Sequence, residues 1–343
     1  MGSSQSFSLQ KGYIKSAVLL ALVIGFTGCT PSQPTTNPSP NASTTTQTSQ
    51  TDSTTSNNDK PKVIATTNIL CDITQEIAKD TVDLKCLIPA GTDAHVYEPK
   101  PDDRKAIEQA KLILYAGYNL EPRLIKLIQA TKNKAPKVAV DEVAVPQPQQ
   151  LEEDGKTETD PHVWHDAQNG VRIIETVRDN LKKIFPTNAA QYTSNAEKMT
   201  REVKQVDSWI KVQINTIPSN QRKLVTTHDA LGYYSKAYGI PLQGALEGIS
   251  TEEKPTARRV KELVDVIKKT GVPTIFTETT INPKLIETVA KEANVKVSDR
   301  KIFADGLGEK GTEADTYTKM LIANTQTIVE GLGGKYTPFF LGK

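Results

Sequence analysis

Apolar residues in this chain fall into short runs that alternate with stretches of helical spacing. Val63–Asn68 (VIATTN) reads as a short apolar strand, Ile73–Asp80 as a helix and Val82–Pro89 as the next strand. Pro101–Ala110 opens with proline and then acids, which predicts a helix start. Strand, helix and strand follow at Leu112–Gly117, Glu121–Thr131 and Lys137–Val143. An acidic, Pro- and Gln-rich loop covers Pro146–Asp160, and Ala167–Phe185 is helical. The second half repeats the theme. Arg222–His228 is a strand and Ala230–Gly239 a helix, and Pro241–Gly248 leads into a helix over Pro255–Gly271. Thr274–Thr279, Pro283–Asn294 and Lys296–Ala304 precede a final long helix, Glu313–Leu332. Strands alternating with helices predict an α/β fold with parallel sheets covered on both faces.

Between the halves lies Pro186–Pro218. Its apolar residues Tyr192, Ala196, Met199, Val203, Val206, Ile210, Ile214 and Ile217 recur at spacings of three and four, the mark of one buried helix face. At about 1.5 Å per residue such a helix runs on the order of 45 Å, enough to reach across two lobes.

The N-terminus has a different character. Lys11 and Lys15 precede an apolar run, Ser16–Phe26, too short to span a bilayer, which is the anatomy of a secretory signal. Small residues before Cys29 resemble the lipobox of bacterial lipoproteins, with Phe26 where leucine is usual. Cleavage there would leave Cys29 as a lipid-modified N-terminus. Thr30–Lys62 has no apolar residue larger than alanine apart from proline, cannot offset its ordering entropy, and suits a flexible tether. The expected layout is therefore a signal peptide over 1–28, a lipidated N-terminus and tether over 29–62, an N-terminal α/β lobe over 63–185, a linking helix over 186–218 and a C-terminal α/β lobe over 219–343. Lysine and arginine total 42 against 40 acids, interspersed, so no basic block argues for nucleic acid. The globular part is expected outside the cytoplasm, periplasmic or on the outer face, held to the membrane by its lipid. After Cys29 only Cys71 and Cys86 remain. In an oxidising compartment they are a candidate disulfide or, equally, two small buried hydrophobes.

The candidate chemistry sits at strand ends. The chain has 4 histidines. His95 follows the strand Val82–Pro89, His162 follows the loop after Lys137–Val143, His228 ends Arg222–His228, and Asp305 follows the strand ending at Ala304. In open α/β sheets ligands bind outside the carboxyl ends of strands. Two facing lobes would bring all four groups into one cleft. Three imidazoles and a carboxylate suit Zn²⁺, and Mn²⁺ accepts the same donors with Asp305 binding through both oxygens. The set lacks the all-oxygen character that Ca²⁺ or Mg²⁺ requires. Asp93 and Asp160 each lie two residues before a proposed ligand, where a carboxylate either orients the ring or shapes a turn. Glu247 and Glu252 lie in second-half loops and are expected to be solvated.

The segments GTDAHVYEPKPDD, DPHVWHDAQNG, TTHDALGYYSKAYG, GISTEEKPTARR and FADGLG occur in an order that resembles the metal-binding lipoproteins of bacterial ABC importers, the cluster A-I, TroA-like family that handles zinc and manganese. The resemblance runs from Val63 to the C-terminus. It implies two Rossmann-like lobes with parallel sheets joined by one long rigid helix, with one Zn²⁺ or Mn²⁺ held in the interlobe cleft as the transported ligand. The partner it implies is a permease in the cytoplasmic membrane, met by a monomeric binding protein. Position by position, the ligands fall on His95, His162, His228 and Asp305. Manganese-associated members usually carry Glu at the third position, so His228 leans toward zinc. His165 departs from the family, which more often has an apolar residue there. It is a supporting group, a surface residue or a chance replacement, and its loss is expected to matter little. A closed ligand shell leaves no position for an activated water, and the chain has no H-E-x-x-H, so a binding protein is expected ahead of a zinc-dependent enzyme or a surface adhesin.

Overall fold

The computed structural model describes residues 60–153 and 155–340. The signal peptide, Cys29 and the tether as far as residue 59 lie outside the described residues. Lys62, assigned to the tether from sequence, already opens the first strand and pairs with Asp83.

The first half is β1 (Lys62–Ala65), α1 (Asn68–Ala78), β2 (Asp83–Cys86), α2 (Pro101–Gln109), β3 (Leu112–Tyr115), α3 (Pro122–Ala130), β4 (Lys137–Ala139) and α4 (Val140–Ala144). Its strands form one parallel sheet in the order β2-β1-β3-β4. The helix starts follow local chemistry. Thr67 caps α1 by accepting from the Leu70 N–H at 3.2 Å, and prolines open α2 and α3. Two segments depart from the pattern read in sequence. Lys137–Val143 is a strand only to Ala139 and then turns helical. The polar loop before Asp160 contains an antiparallel hairpin, β5 (Gln150–Glu153) and β6 (Lys156–Thr159).

Helix α5 (Ala167–Ile184) leads to α6 (Ala189–Asn215), whose 27 residues reach about 40 Å at 1.5 Å per residue. The apolar face predicted for α6 is the buried one, from Tyr192 to Ile214. This helix packs along α5 and α1 from the first half and α10 from the second, so it is part of the core as well as a connection. Asp207 on α6 is buried and accepts from Gln168 of α5 at 2.7 Å, from Lys211 at 2.7 Å and from Tyr238 at 3.1 Å.

The second half is β7 (Leu224–Thr226), α7 (Gly232–Tyr238), β8 (Leu242–Ala245), α8 (Ala257–Thr270), β9 (Thr274–Ile275), α9 (Lys284–Ala293), β10 (Lys296–Val297) and α10 (Tyr317–Gly331). Two parallel ladders, β7-β8 and β9-β10, are linked where the Phe276 N–H donates to the Val225 carbonyl at 2.9 Å. One apolar core runs through the first sheet, α5, α6 and α10, and a smaller one lies under α8 and α9. Contact across the halves is close. A Cβ on Gly170 of α5 would stand 2.0 Å from the Tyr317 hydroxyl of α10, so only glycine fits there. Among the described residues, no helix is long and apolar enough to cross a membrane.

Cys71 on α1 and Cys86 at the end of β2 are joined, with Cα atoms 5.7 Å apart, inside the range a bridge requires. Their sequence separation of 15 closes a short loop. Replacing both by alanine is expected to lower unfolding free energy by about 3 kcal/mol. Urea unfolding with and without reductant checks this: reductant should destabilise the parent and leave the double variant unchanged.

Candidate metal centre

Each predicted ligand leaves the carboxyl end of a strand and turns inward. His95 follows β2, and its N–H donates to Asp93 Oδ1 at 2.9 Å. His162 starts a single 3-10 turn, Val163–His165, before α5. His228 lies two residues beyond β7, and Asp305 follows the bridge between Glu278 and Ile302. All four are buried, with Asp305 at 2 % exposure and His162 and His228 at 0 %.

The four ligand atoms lie within 4.8 Å of one another. His162 Nε2 stands 3.3 Å from His95 Nε2 and 3.4 Å from His228 Nε2. Asp305 Oδ1 stands 3.2 Å from His228 Nε2, 3.3 Å from His162 Nε2 and 3.9 Å from His95 Nε2. A tetrahedral ion with bonds of about 2.0–2.1 Å has ligand–ligand edges of about 3.3 Å. Four of these five separations match that edge and the fifth, His95 to Asp305, is longer, so the cage is near the size a four-coordinate transition metal needs. Neither Asp305 oxygen has a hydrogen bond of good geometry, although both are buried. A charged carboxylate so placed calls for a cation.

Carboxylates behind the rings decide which nitrogen faces the cage. Asp160 Oδ1 lies 2.8 Å from His162 Nδ1 and also accepts the His162 N–H at 2.9 Å. Glu278 does the same for His228, taking its Nδ1 side through Oε2 and its N–H through Oε1 at 2.9 Å. Each pair fixes the ring and leaves Nε2 for a metal. Asp160 was a candidate for this from sequence; Glu278 was not. It sits at the end of TIFTET, and only its position beyond a strand marks it. Asp93 orients no ring. It caps the His95 loop and accepts the Thr251 hydroxyl from the other half at 2.6 Å. Glu252 is not merely solvated. It meets Arg123 at 2.9 Å, and Arg123 also contacts Glu98 and the His95 carbonyl. Glu247 is half-buried, and burial raises its pKa.

The protons follow the charges. Burial pulls His162 down, but Asp160 and Asp305 outweigh it and bring its pKa up to about 9. Burial also opposes charge on His228, and Asp305 and Glu278 overcome it, holding its pKa well above the usual imidazole value. Asp305 is pushed up by burial and pulled far lower by the imidazoles, so it stays ionised. His95, with burial dominant, falls to about 3 and is neutral.

His165 is fully buried and contributes no atom to the cage. Burial, then the charge of His162, lower its pKa to about 3. Its Nε2 lies 2.8 Å from the carbonyl of Ala304.

Two α/β halves around a long helix, with a cage of protein donors sealed in the cleft, define a solute-binding protein whose solute is a metal ion. The description "zinc-uptake complex component A, periplasmic" matches residues 63–331. The chain belongs to this family, whose members are binding proteins of metal ABC transporters and not enzymes. It is 36% identical over 284 residues to the metal ABC transporter substrate-binding lipoprotein SsaB of Streptococcus sanguinis, covering 81% of this chain and 91% of that one. It is 35% identical over 285 residues to the manganese ABC transporter substrate-binding lipoprotein PsaA of Streptococcus pneumoniae serotype 4, with the same coverage of 81% and 91%. Among solved structures, the periplasmic zinc binding protein TroA of Treponema pallidum superposes with a TM-score of 0.75 at 32% identity, covering 80% of this chain and 99% of that one. A manganese-bound periplasmic metal binding protein of Candidatus Liberibacter asiaticus superposes with a TM-score of 0.71 at 27% identity, covering 80% and 100%.

Proposed function

We propose that His95, His162, His228 and Asp305 bind one divalent transition metal, zinc in preference to manganese, and that the protein hands this ion to an ABC permease in the cytoplasmic membrane. It works outside the cytoplasm as a monomer, tethered through a lipid on Cys29. The observation that carries the reading is the cage itself: four buried donors whose ligand atoms all lie within 4.8 Å of one another, with His162 Nε2 and Asp305 Oδ1 each 3.2 to 3.4 Å from at least two others. Three nitrogens and one carboxylate oxygen at that spacing match the low coordination number zinc prefers. Manganese would draw Asp305 into binding through both oxygens. Relatives named for zinc and for manganese are similarly close, so the donor set and the cage size support the preference, not kinship. Competitive titration of Zn²⁺ against Mn²⁺, with the chain from Lys60 onward, tests it. Zinc should displace bound manganese at equal concentration. Retention of manganese against equimolar zinc would overturn the preference and leave the four ligands standing.

A further inference from the structure

The sequence leaves His165 without a role, and its contacts supply one. Ala304 immediately precedes the ligand Asp305, and its carbonyl can only accept. The imidazole nitrogen 2.8 Å away, Nε2, therefore carries the hydrogen. The other nitrogen, Nδ1, is buried with no partner among the described residues. A buried ring with one unmade hydrogen bond is a poor choice for stability alone, because an apolar side chain would fill the space without that cost. The Trp164 indole N–H donates to the same carbonyl at 3.2 Å. Two donors from consecutive residues thus occupy both lone pairs of one carbonyl and fix the plane of the Ala304–Asp305 peptide.

Asp305 needs this more than the other ligands do. His162 and His228 are each oriented by a carboxylate on Nδ1. The Asp305 carboxylate has no such partner, so its direction is set through its backbone. That backbone is held on both sides by the first half of the chain. Ala304 is tied to Trp164 and His165, and the Leu307 N–H donates to Asn68 Oδ1 at 2.8 Å. Between them Gly306 passes so near Asn68 that a Cβ would stand 2.7 Å from its Oδ1. The turn that carries His162 therefore also carries the donor that positions Asp305.

We propose that His165 is a positioning residue: through the Ala304 carbonyl it sets the Asp305 oxygen against His162 at the spacing of a four-coordinate metal. This rests on the ligand assignment above. Without the tie, the carboxylate is free to swing and to bind through both oxygens, which loosens a zinc-sized cage.

Three variants test the proposal: His165→Leu removes the donor at similar volume, His165→Gln restores an N–H near the place of Nε2, and Asp305→Ala removes the ligand. Zn²⁺ release into excess chelator and the visible spectrum of the Co²⁺-loaded protein are the readouts. Expected is release about tenfold faster in His165→Leu, the scale of losing a group that orients a ligand. Its cobalt bands should also weaken as the tetrahedral geometry is lost, while His165→Gln stays within about twofold of the parent. Parent-like release and spectrum in His165→Leu, or equal impairment by Leu and Gln, overturns the proposal. If His165→Leu does not fold, His165→Asn, whose amide is too short to reach Ala304, takes its place under the same criteria. Tight zinc binding by Asp305→Ala would instead mean that the ligand assignment is wrong.

Discussion

Replacing His228 by alanine should cost the protein about two orders of magnitude in zinc affinity or more. A closed structural zinc site contributes about 10–16 kcal/mol in total, so one of four ligands carries roughly 3 kcal/mol, about a hundredfold. The fold should lose stability as well, because Glu278 is left buried at 1 % exposure with its imidazole partner gone. A milder change separates the two effects. Glu278→Gln keeps the His228 ring and weakens only the group that orients it, which should cost about 10- to 100-fold. The expected order of affinity is parent, then Glu278→Gln, then His228→Ala, measured by competition with a chelator of known strength. Full affinity in His228→Ala would mean that the metal sits elsewhere. Equal losses in the two variants would mean that Glu278 matters by binding the ion, not by holding the ring.

The difference between these residues explains what the sequence could and could not reveal. The convergence of His95, His162, His228 and Asp305 was legible because His95, His228 and Asp305 follow apolar runs and His162 follows the loop after one, and strand ends in this architecture converge on one cleft. The buried face of α6 was legible for a similar reason: a 3.6-residue period is a local property of the chain. Glu278 was not, because it meets His228 only where two separate parallel ladders pack together, 50 residues apart. The tie between His165 and Ala304 spans 139 residues and has no local signature at all. The hairpin β5-β6 was missed for another reason. Its strands carry a single apolar residue, Leu151, so they show no alternation. Its one signal is Asp154-Gly155, a pair suited to a two-residue turn. In β4 the alternation was real but stopped early, where Val140 turns into a helix that buries Asp141 beside Glu121.

Metal binding should strengthen steeply with pH, and the metal-free protein should move the opposite way. In the metal-free cage His162 titrates at about 9 and His228 well above the usual imidazole value, because the carboxylates around them outweigh the cost of burial. At neutral pH both rings therefore carry a proton where the ion must bind. The ion has to expel both, so affinity should rise by about two decades per pH unit between pH 6 and 8, one for each proton released. The slope should slacken near pH 9, as His162 loses its proton unaided. The same protons stabilise the metal-free fold. A histidine whose folded pKa lies above its unfolded value of 6.5 contributes stability fully below pH 6.5, and that contribution is lost as pH rises through the folded value. The melting temperature of metal-free protein should thus fall between pH 6.5 and 9, while that of the zinc-loaded protein rises relative to it. Zinc titrations and thermal melts at matched pH values read both trends. An affinity that levels off from pH 6.5 upward would show that the metal-free histidines titrate like free imidazoles, away from Asp305. In that case the cage would form only when the ion arrives, and capture, not preorganisation, would set the affinity.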